Sequence, residues 1–178
     1  MSKYEIDLFL RGLKNKIHSY YFNYWLSEIN DRDKNPILRT YCSFKSHLKA
    51  EQYISCKIPT KYKRLIAQLR VSSHHLGIET GRHQKPVIPS NRRYCKFCPD
   101  QDAIDDEKHF ILDCKFHIAE RESLLLVIRT TDKFLSTDVN NKDMLFRYIM
   151  SNENPIIIEA LGKYIEQGFK RRKITDVN

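Results

Sequence analysis

The sequence is poor in the residues that make tight turns, since its 178 residues include only five glycines and six prolines. Sandwiches and barrels need many turns between short strands, so this scarcity favours helices. Long apolar runs are also missing, because the longest, Leu124 to Ile128, is far too short to cross a membrane. The N-terminal stretch mixes acids with apolar residues and offers no small-residue cleavage site, so we expect no secretory signal. We therefore expect an intracellular protein, nuclear or cytoplasmic, with no membrane partner.

Apolar residues recur at helical spacings of three and four in several stretches. The first predicted helix covers residues 4–29 and has one apolar face: Ile6, Phe9, Leu10, Leu13, Ile17, Tyr20, Tyr21 and Tyr24. Tyr20, Tyr21, Tyr24 and Trp25 could stack nucleic-acid bases, but their spacing favours a place in the core. Further helices are predicted over residues 37–53, around Tyr62 to Leu69, and from a cap at Asn154 onward. The basic end of the last helix, residues 170–173, complements the helix dipole and is only a weak nuclear-localisation signal.

Positive charge is concentrated in the first part of the chain. Residues 1–94 hold 18 lysines and arginines against 7 acids, whereas residues 95–178 hold 13 against 15. Within the first part, residues 57–93 carry nine basic side chains and one acid, Glu79. Such a one-sided field is typical of a polyanion-binding protein, because each neutralised phosphate releases counterions. We expect phosphate contacts from seven residues here: Lys61, Lys63, Arg64, Arg70, Arg82, Arg92 and Arg93.

Four residues in the middle of the chain have the spacing of a metal site: Cys95, Cys98, His109 and Cys114. The pair Cys95-x2-Cys98 offers two thiolates from one tight turn, and five residues of helix return Cys114 to nearly the face of His109. Three thiolates and one imidazole close a tetrahedral shell, the usual structural zinc site, with no open position for a reactive water. The spacing therefore predicts one zinc ion that stabilises the fold and does no catalysis.

His117 is a rival fourth ligand, because it follows Cys114 by one helical turn and spacing alone does not decide between the two histidines. The loop around the ligands is acidic: Asp100, Asp102, Asp105, Asp106, Glu107 and Asp113. A zinc site with three thiolates adds a further net negative charge of about one. We therefore expect the loop to repel phosphate and to anchor the basic arm before it. The two remaining cysteines, Cys42 and Cys56, are predicted core thiols.

The stretch from Leu65 to Arg82, then RYCKFC at 93–98 and DDEKHFILDC at 105–114, resembles the C-terminal region of non-LTR (jockey-like) retrotransposon endonuclease–reverse transcriptases. Those proteins carry an Arg-x-Ser-x-His-x-Leu-x-Ile-Glu-x-Gly-Arg pattern before an R-x-C-x-x-C and an E-x-H-F. In this sequence the first pattern is carried by Arg70, Ser72, His74, Leu76, Ile78, Glu79, Gly81 and Arg82. The resemblance covers about residues 38–125. It favours His109 over His117 and implies a nucleic-acid-contacting tail that follows a polymerase.

The motifs of the family's enzymes are absent from this chain. No aromatic-Ala-Asp-Asp occurs, since Asp105-Asp106 follow Ala103-Ile104 inside the ligand loop, and residues 115–178 contain no Pro-Asp for a nuclease. The phosphate-binding patterns GxxxxGK[ST] and GxGxxG have no match either. We therefore expect no enzymatic activity, and a reverse transcriptase would be a partner supplied separately.

Three smaller features in the resembling stretch have structural interpretations. His74 is predicted to be structural, and Gly81 to provide a positive φ or a close backbone approach. Arg82 is as well placed to pair internally with Glu79 as to contact phosphate.

The predicted fold is mainly α, a helical domain with one embedded Cys3His zinc-binding loop. Its parts are a helical segment (1–79), a basic extended arm (80–94), the zinc motif (95–118) and C-terminal helices (119–178), together one compact unit. The predicted function is non-enzymatic binding of RNA or DNA through phosphates, with little sequence specificity. The alternative is a zinc-stabilised helical scaffold for protein partners.

Overall fold

Helices dominate the computed structural model, which describes residues 2–99, 103–132 and 141–175. Within these residues the α-helices are α1 (Lys3–Asn30), α2 (Tyr41–Phe44), α3 (Gln52–Ser55), α4 (Thr60–Arg70), α5 (Gly77–Thr80), α6 (Ile118–Thr131), α7 (Lys142–Ser151) and α8 (Pro155–Thr175). The described residues form no strand, and their one β-type pairing is an isolated bridge between Tyr94 and Ile104. The prediction of a mainly α fold is confirmed. No helix in these ranges is long and apolar enough to cross a membrane.

Helix α8 is the central element, and it packs against α4 and α6. It begins where the sequence predicts, because the side-chain oxygen of Asn154 accepts a hydrogen bond from the backbone N–H of Ile156 at 2.9 Å. Two glycines let its neighbours approach closely. A Cβ added at Gly162 would overlap the side chain of Tyr62 in α4, and one at Gly168 would lie 2.7 Å from Cζ of Phe110.

The core lies between these helices and the segment that precedes α6. Most of its fully buried members come from α4, from the segment around residue 110 and from α6 to α8. They include Ile66, Leu69, Phe110, Leu124, Ile149, Ile157 and Tyr164. Helix α4 matches the predicted third helix, with its apolar side turned inward. The sequence also predicts a loop followed by a short helix over residues 138–150. Helix α7 is that helix, and residues 133–140 lie outside the described part of the chain.

The single helix predicted over residues 37–53 is wrong. The chain forms a 3-10 turn at Pro36–Leu38, then α2 and α3, with irregular backbone between them. Side chains here hydrogen-bond to nearby carbonyls, as Ser43 does to Thr40 at 2.7 Å and Lys45 to Lys49 at 2.7 Å. These local bonds compete with the helical ladder, which the apolar spacing does not register.

The segment predicted as an extended basic arm, residues 80–94, folds back on itself. It contains 3-10 turns at Gly81–His83 and Ser90–Arg92, and the N–H of Ile88 donates to the carbonyl of Gly81 at 3.0 Å. The side chain of Arg93 packs over Gly81, where an added Cβ would lie 2.7 Å from its Cγ. Gly81 thus serves a close approach, and its φ is −63°, so a positive φ is not the reason for a glycine.

Helix α1 exists as predicted, but its apolar face is not in the core. Tyr20, Tyr21 and Tyr24 are 56 to 68% exposed, Trp25 is half-buried, and Ile29 is the buried residue of the helix. Helix α1 meets the rest of the chain mainly through α2. The prediction that these aromatic residues belong to the core is therefore wrong for the three tyrosines.

Candidate metal centre and basic groove

The four predicted ligands converge at one buried point. Cys95, Cys98, His109 and Cys114 each offer one ligand atom, and these atoms all lie within 4.8 Å of one another. All four residues are buried, with Cys95 and Cys114 fully enclosed. Residues separated by up to 19 positions along the chain thus form one compact donor set.

Backbone hydrogen bonds hold the two halves of this donor set in place. The bridge of Tyr94 with Ile104 leads into Cys95, whose N–H donates to the carbonyl of Ala103 at 2.9 Å. On the other side, His109–Asp113 form a five-residue π-helical turn that ends when the N–H of Cys114 donates to the carbonyl of His109 at 2.7 Å. The wider turn places both residues on the same side of the segment.

The spacing of the ligand atoms fits a tetrahedral metal ion. The Cys114 sulfur lies 3.9 Å from that of Cys95 and 3.8 Å from that of Cys98. Zinc–sulfur bonds of about 2.3 Å in tetrahedral geometry require sulfurs about 3.8 Å apart. Nε2 of His109 lies 3.4 Å from the Cys98 sulfur, close to the value of about 3.5 Å that the same geometry requires. Three distances within the donor set therefore match a closed tetrahedral site, and no two of its ligand atoms are more than 4.8 Å apart.

The rival ligand His117 does not join this donor set. Its Nε2 accepts a hydrogen bond from Nε of Arg172 at 3.0 Å, and its ring packs edge-on against Phe110 and Phe116. Burial, together with the positive charge of Arg172, lowers the pKa of His117 to about 4, so the ring is neutral and can accept. The alternative assignment of His117 as the fourth ligand is therefore corrected in favour of His109.

Arg172 connects the far end of α8 to the metal centre. One of its terminal nitrogens, Nη2, lies 3.6 Å from the Cys114 sulfur and 3.8 Å from that of Cys95. The other, Nη1, donates to both carboxylate oxygens of Asp105 at 2.9 and 3.0 Å. The guanidinium carbon lies 4.7 Å from the ring centre of Phe97. A buried cation next to three thiolates offsets their negative charge.

The thiols themselves respond to this environment. A hydrogen bond from the Cys95 side chain is the largest influence on Cys114, and His109 and the Arg172 guanidinium act in the same direction. Together they lower the pKa of Cys114 to about 2, although burial opposes them. Cys114 is therefore ready to bind a cation as a thiolate.

Glu107 forms a second buried polar cluster beside the ligands. Its Oε1 accepts hydrogen bonds from Ser72 at 2.7 Å, from Nε2 of His74 at 2.7 Å and from Arg39 at 2.5 Å. Burial raises the pKa of Glu107, but the hydrogen bond from His74 and the charge of Arg39 outweigh it and lower the value to about 2. His74 thus has the structural role predicted for it.

Several acidic side chains of the ligand loop are buried or paired with basic side chains of the same chain. Asp105 and Glu107 are buried and paired with arginines, and Asp113 pairs with Lys142. Asp100 and Asp102 lie outside the described residues. The expectation of an acidic loop surface that repels phosphate therefore fails for Asp105 and Glu107, because arginines from α8 and from residue 39 neutralise them.

Three of the seven residues predicted to contact phosphate are bonded to other groups of this chain instead. Arg70 is wrong as a surface contact, because it is buried, pairs with Glu51 and lies 4.5 Å from the ring centre of Tyr53. Arg82 pairs with Glu79 at 3.3 Å, as the internal alternative predicts. Arg93 donates to backbone carbonyls, including that of Ile88 at 2.8 Å.

The other four predicted contacts lie nearer the surface. Arg64 and Arg92 are exposed and form no ion pair within the described part of the chain. Lys61 is exposed and pairs with Glu166 at 3.1 Å, while Lys63 donates to the carbonyl of Ile54 at 2.7 Å. Lys61, Arg64 and Arg92 line one groove, and Lys63 is not part of its lining.

That groove has a volume of about 1150 Å3 and runs between α4, the folded arm and the C-terminal end of α8. Eight of its lining residues are basic and two are acidic, Asp105 and Glu166. The basic ones are Lys61, Arg64, Arg92, Arg93, Lys96, Lys170, Arg172 and Lys173. Both acids are already paired, Asp105 with Arg172 and Glu166 with Lys61 and Lys170. The groove is therefore electropositive.

Sequence reasoning did not assign Lys96, Lys170 or Lys173 to this surface. Residues 170–173 have the composition of a helix end, and their basic side chains complement the helix dipole. A signal was present in the spacing, since Lys170 and Lys173 are three residues apart and share one face of α8. Their position opposite α4 is visible only in the tertiary structure, because no local sequence pattern encodes how two distant helices pack.

No protein-family model, curated protein or solved structure matches this chain.

Proposed function

We propose that this chain is a non-enzymatic nucleic-acid-binding protein whose basic groove is held in shape by one structural zinc ion. The observation that carries the proposal is the groove itself, in which cationic side chains from three parts of the chain face one space and its acids are internally paired. Nucleic-acid backbones are the polyanions whose contacts such a surface provides.

Zinc supports this function indirectly. Cys95 and Cys98 directly follow the folded arm that carries Arg92, and Arg172 links the ligands to the end of α8 that carries Lys173. The ligand set of three cysteines and one histidine is that of structural zinc sites, and it leaves no position for a substrate. The ion would fix the two basic walls of the groove relative to each other.

The groove favours phosphate contacts over base reading. Its exposed cations are arginines and lysines on the rim, and they match the phosphate-contacting class of side chain, which positions a strand without reading its sequence. Tyr94 also lines the groove and is exposed, and its ring would stack a base of a single strand. We therefore expect single-stranded RNA or DNA to bind with little sequence preference.

A salt titration of binding tests the proposal. Each phosphate contact contributes a slope of about 0.7 to the fall of log affinity with log salt for single strands. The triple variant Arg64→Ala, Arg92→Ala, Lys173→Ala should weaken binding to every sequence and lower this slope by about 2. Fluorescence anisotropy with a labelled oligonucleotide measures both.

A matched control removes the same charge elsewhere. Arg32, Lys57 and Arg147 are exposed and do not line the groove. Changing these three to alanine should leave the slope and the affinity nearly unchanged. Equal losses in both triple variants would show a general charge effect, and no binding by the wild type at low salt would overturn the proposal.

The identity of the metal and its ligands has a separate test. We expect one zinc per purified chain by elemental analysis, and a cobalt-substituted protein with the absorption of a tetrahedral thiolate site. His109→Ala should lose the metal or bind it far more weakly, whereas His117→Ala should keep the stoichiometry of one. The opposite pattern would reassign the fourth ligand.

The resemblance to retrotransposon reverse transcriptases supports the same function and suggests an origin. We propose that the chain derives from the region that follows the polymerase in such a protein and acts with or without a polymerase supplied separately. Reading the upstream DNA for an interrupted polymerase frame tests this origin independently of binding.

The second candidate, a zinc-stabilised scaffold for protein partners, is favoured by the exposed apolar face of α1. An acidic protein would also fit the groove. Competition between the oligonucleotide and a polyglutamate chain of equal charge separates the two, since stacking and phosphate geometry favour only the nucleic acid.

A further inference from the structure

Helix α1 presents a continuous apolar stripe that no other part of residues 2–99, 103–132 and 141–175 covers. Its eight members are between 42 and 68% exposed: Ile6, Phe9, Leu10, Leu13, Ile17, Tyr20, Tyr21 and Tyr24. Soluble monomers rarely expose contiguous apolar patches larger than a few hundred Å2. A stripe of this length therefore needs a partner surface.

The spacing of the stripe specifies the shape of that partner. Six of its members alternate by four and three residues over three heptads: Ile6, Leu10, Leu13, Ile17, Tyr20 and Tyr24. A repeat of 3.5 residues keeps a seam on one side only when the helix winds around another helix. The partner is thus a helix that lies alongside α1, and a flat sheet or a pocket would not require this pattern.

The contact of α1 with its own domain uses a different flank. Ile29 is buried and Phe22 and Trp25 are half-buried, and none of the three belongs to the stripe. The start of the helix is also capped by its own residues, since Ser2 and Glu5 form a reciprocal capping box. The stripe is therefore free for a second helix while α1 stays attached to the domain.

We propose that α1 pairs with α1 of a second copy of this chain in a parallel, in-register two-helix coiled coil. The exposed surface of the eight side chains is on the order of 1000 Å2 per chain, which matches the ~800 Å2 per partner that a stable interface buries. A seam of this size, repeated identically on both copies, is sufficient for a dimer.

The flanking charges select the parallel arrangement. In a fully overlapped antiparallel pair, Lys14 would face Lys14 of the second copy, and Lys16 would face Lys16. In the parallel pair, Lys14 lies beside Phe9 of the second copy and Lys16 beside Tyr21, so no like charges meet. Lysine next to an aromatic ring adds a favourable cation–π contact.

Sedimentation equilibrium tests the dimer. At about 50 μM the wild type should have twice the 21.3 kDa mass of one chain. Leu13→Glu places a charge in the seam and should give a monomer, whereas Asn15→Glu, on the opposite side of the exposed helix, should leave the dimer intact. Zinc content and circular dichroism should be the same in both variants, which excludes unfolding as the cause.

Orientation has its own readout. A pyrene attached to the N-terminal amine should show excimer emission, because a parallel pair brings the two N-termini together, whereas a 28-residue helix separates them by about 40 Å in an antiparallel pair. A monomeric wild type, a dimer that survives Leu13→Glu, or a dimer without excimer emission would each overturn the proposal. None of these outcomes depends on nucleic-acid binding.

Discussion

The metal centre and helix α1 differ in which kind of side chain is buried and which is exposed. At the metal centre, thiols, a histidine and a carboxylate are buried, and Arg172 connects Asp105 with the sulfurs of Cys95 and Cys114. Along α1, apolar side chains of the kind that form cores stay exposed. Polar groups are thus inside one region and apolar groups outside the other.

The difference shows that residue type does not decide burial by itself. Burial of the polar groups is tolerated because each finds a charged or hydrogen-bonding partner, which offsets the cost of leaving water. The apolar stripe stays exposed because none of the helices in the described part of the chain packs against it. The first region is complete within one chain, while the second requires a second one.

The largest expected effect comes from removing a metal ligand. Cys98→Ser should abolish zinc binding and unfold at least the segment around residues 95–118, because structural zinc supplies on the order of 10 kcal/mol in small zinc domains. Elemental analysis and thermal denaturation measure the two losses. Cys42→Ser is the control, since that partly exposed thiol is not part of the ligand set and should keep both zinc and stability. A folded, zinc-free Cys98→Ser protein would contradict a structural role for the metal.

The next effect concerns the charge balance of the centre. Arg172→Met leaves the Asp105 carboxylate without its buried partner and should lower the free energy of unfolding by about 3 to 5 kcal/mol. Urea denaturation of the zinc-loaded protein measures this change. The neighbouring Arg171→Met removes a surface pair with Glu120 and should cost about 1 kcal/mol or less. Similar costs for both variants would mean that Arg172 does not balance buried charge.

A smaller effect on stability is expected when one glycine of α8 and one glycine of α1 are each replaced by alanine. An added Cβ at Gly168 would meet the ring of Phe110 at 2.7 Å, whereas one at Gly12 has no atom within 4 Å. Gly168→Ala should therefore destabilise by about 1 to 3 kcal/mol through overpacking. Gly12→Ala should instead stabilise α1 by up to about 1 kcal/mol, because alanine is the better helix former. Thermal melts of the two variants should shift in opposite directions, and a shift in the same direction would contradict the contrast.

Local chemistry made some features predictable. The three cysteine ligands followed from the side-chain chemistry and spacing of Cys95, Cys98 and Cys114, because metal coordination demands particular atoms at short range. Spacing left His109 and His117 open as the fourth ligand, and the structure brings His109 into the donor set. The start of α8 followed from Asn154 and Pro155, whose preferences are local. Local patterns failed where the burial or the hydrogen bonding of a side chain depends on a residue that is distant in the sequence. The burial of Arg70 depends on Glu51, and the use of His117 as an acceptor depends on Arg172 from the far end of the chain.

The groove illustrates the same division. Residues 57–93 carry an excess of positive charge that is visible in the sequence, but the sequence does not show which of these cations face one another. In the structure Arg70 is buried, whereas Lys170 and Lys173 of α8 line the groove.

By itself, the sequence determined that this protein is mainly helical, where several of its helices begin, and that three cysteines with one of two histidines can bind one metal ion. Those properties depend on backbone preferences and on donor atoms, both of which act over a few residues. Only the tertiary structure decided which charges are neutralised inside, which line the groove, and that the apolar face of α1 remains exposed. Burial depends on which distant elements pack together, because a side chain leaves water only where another part of the chain covers it.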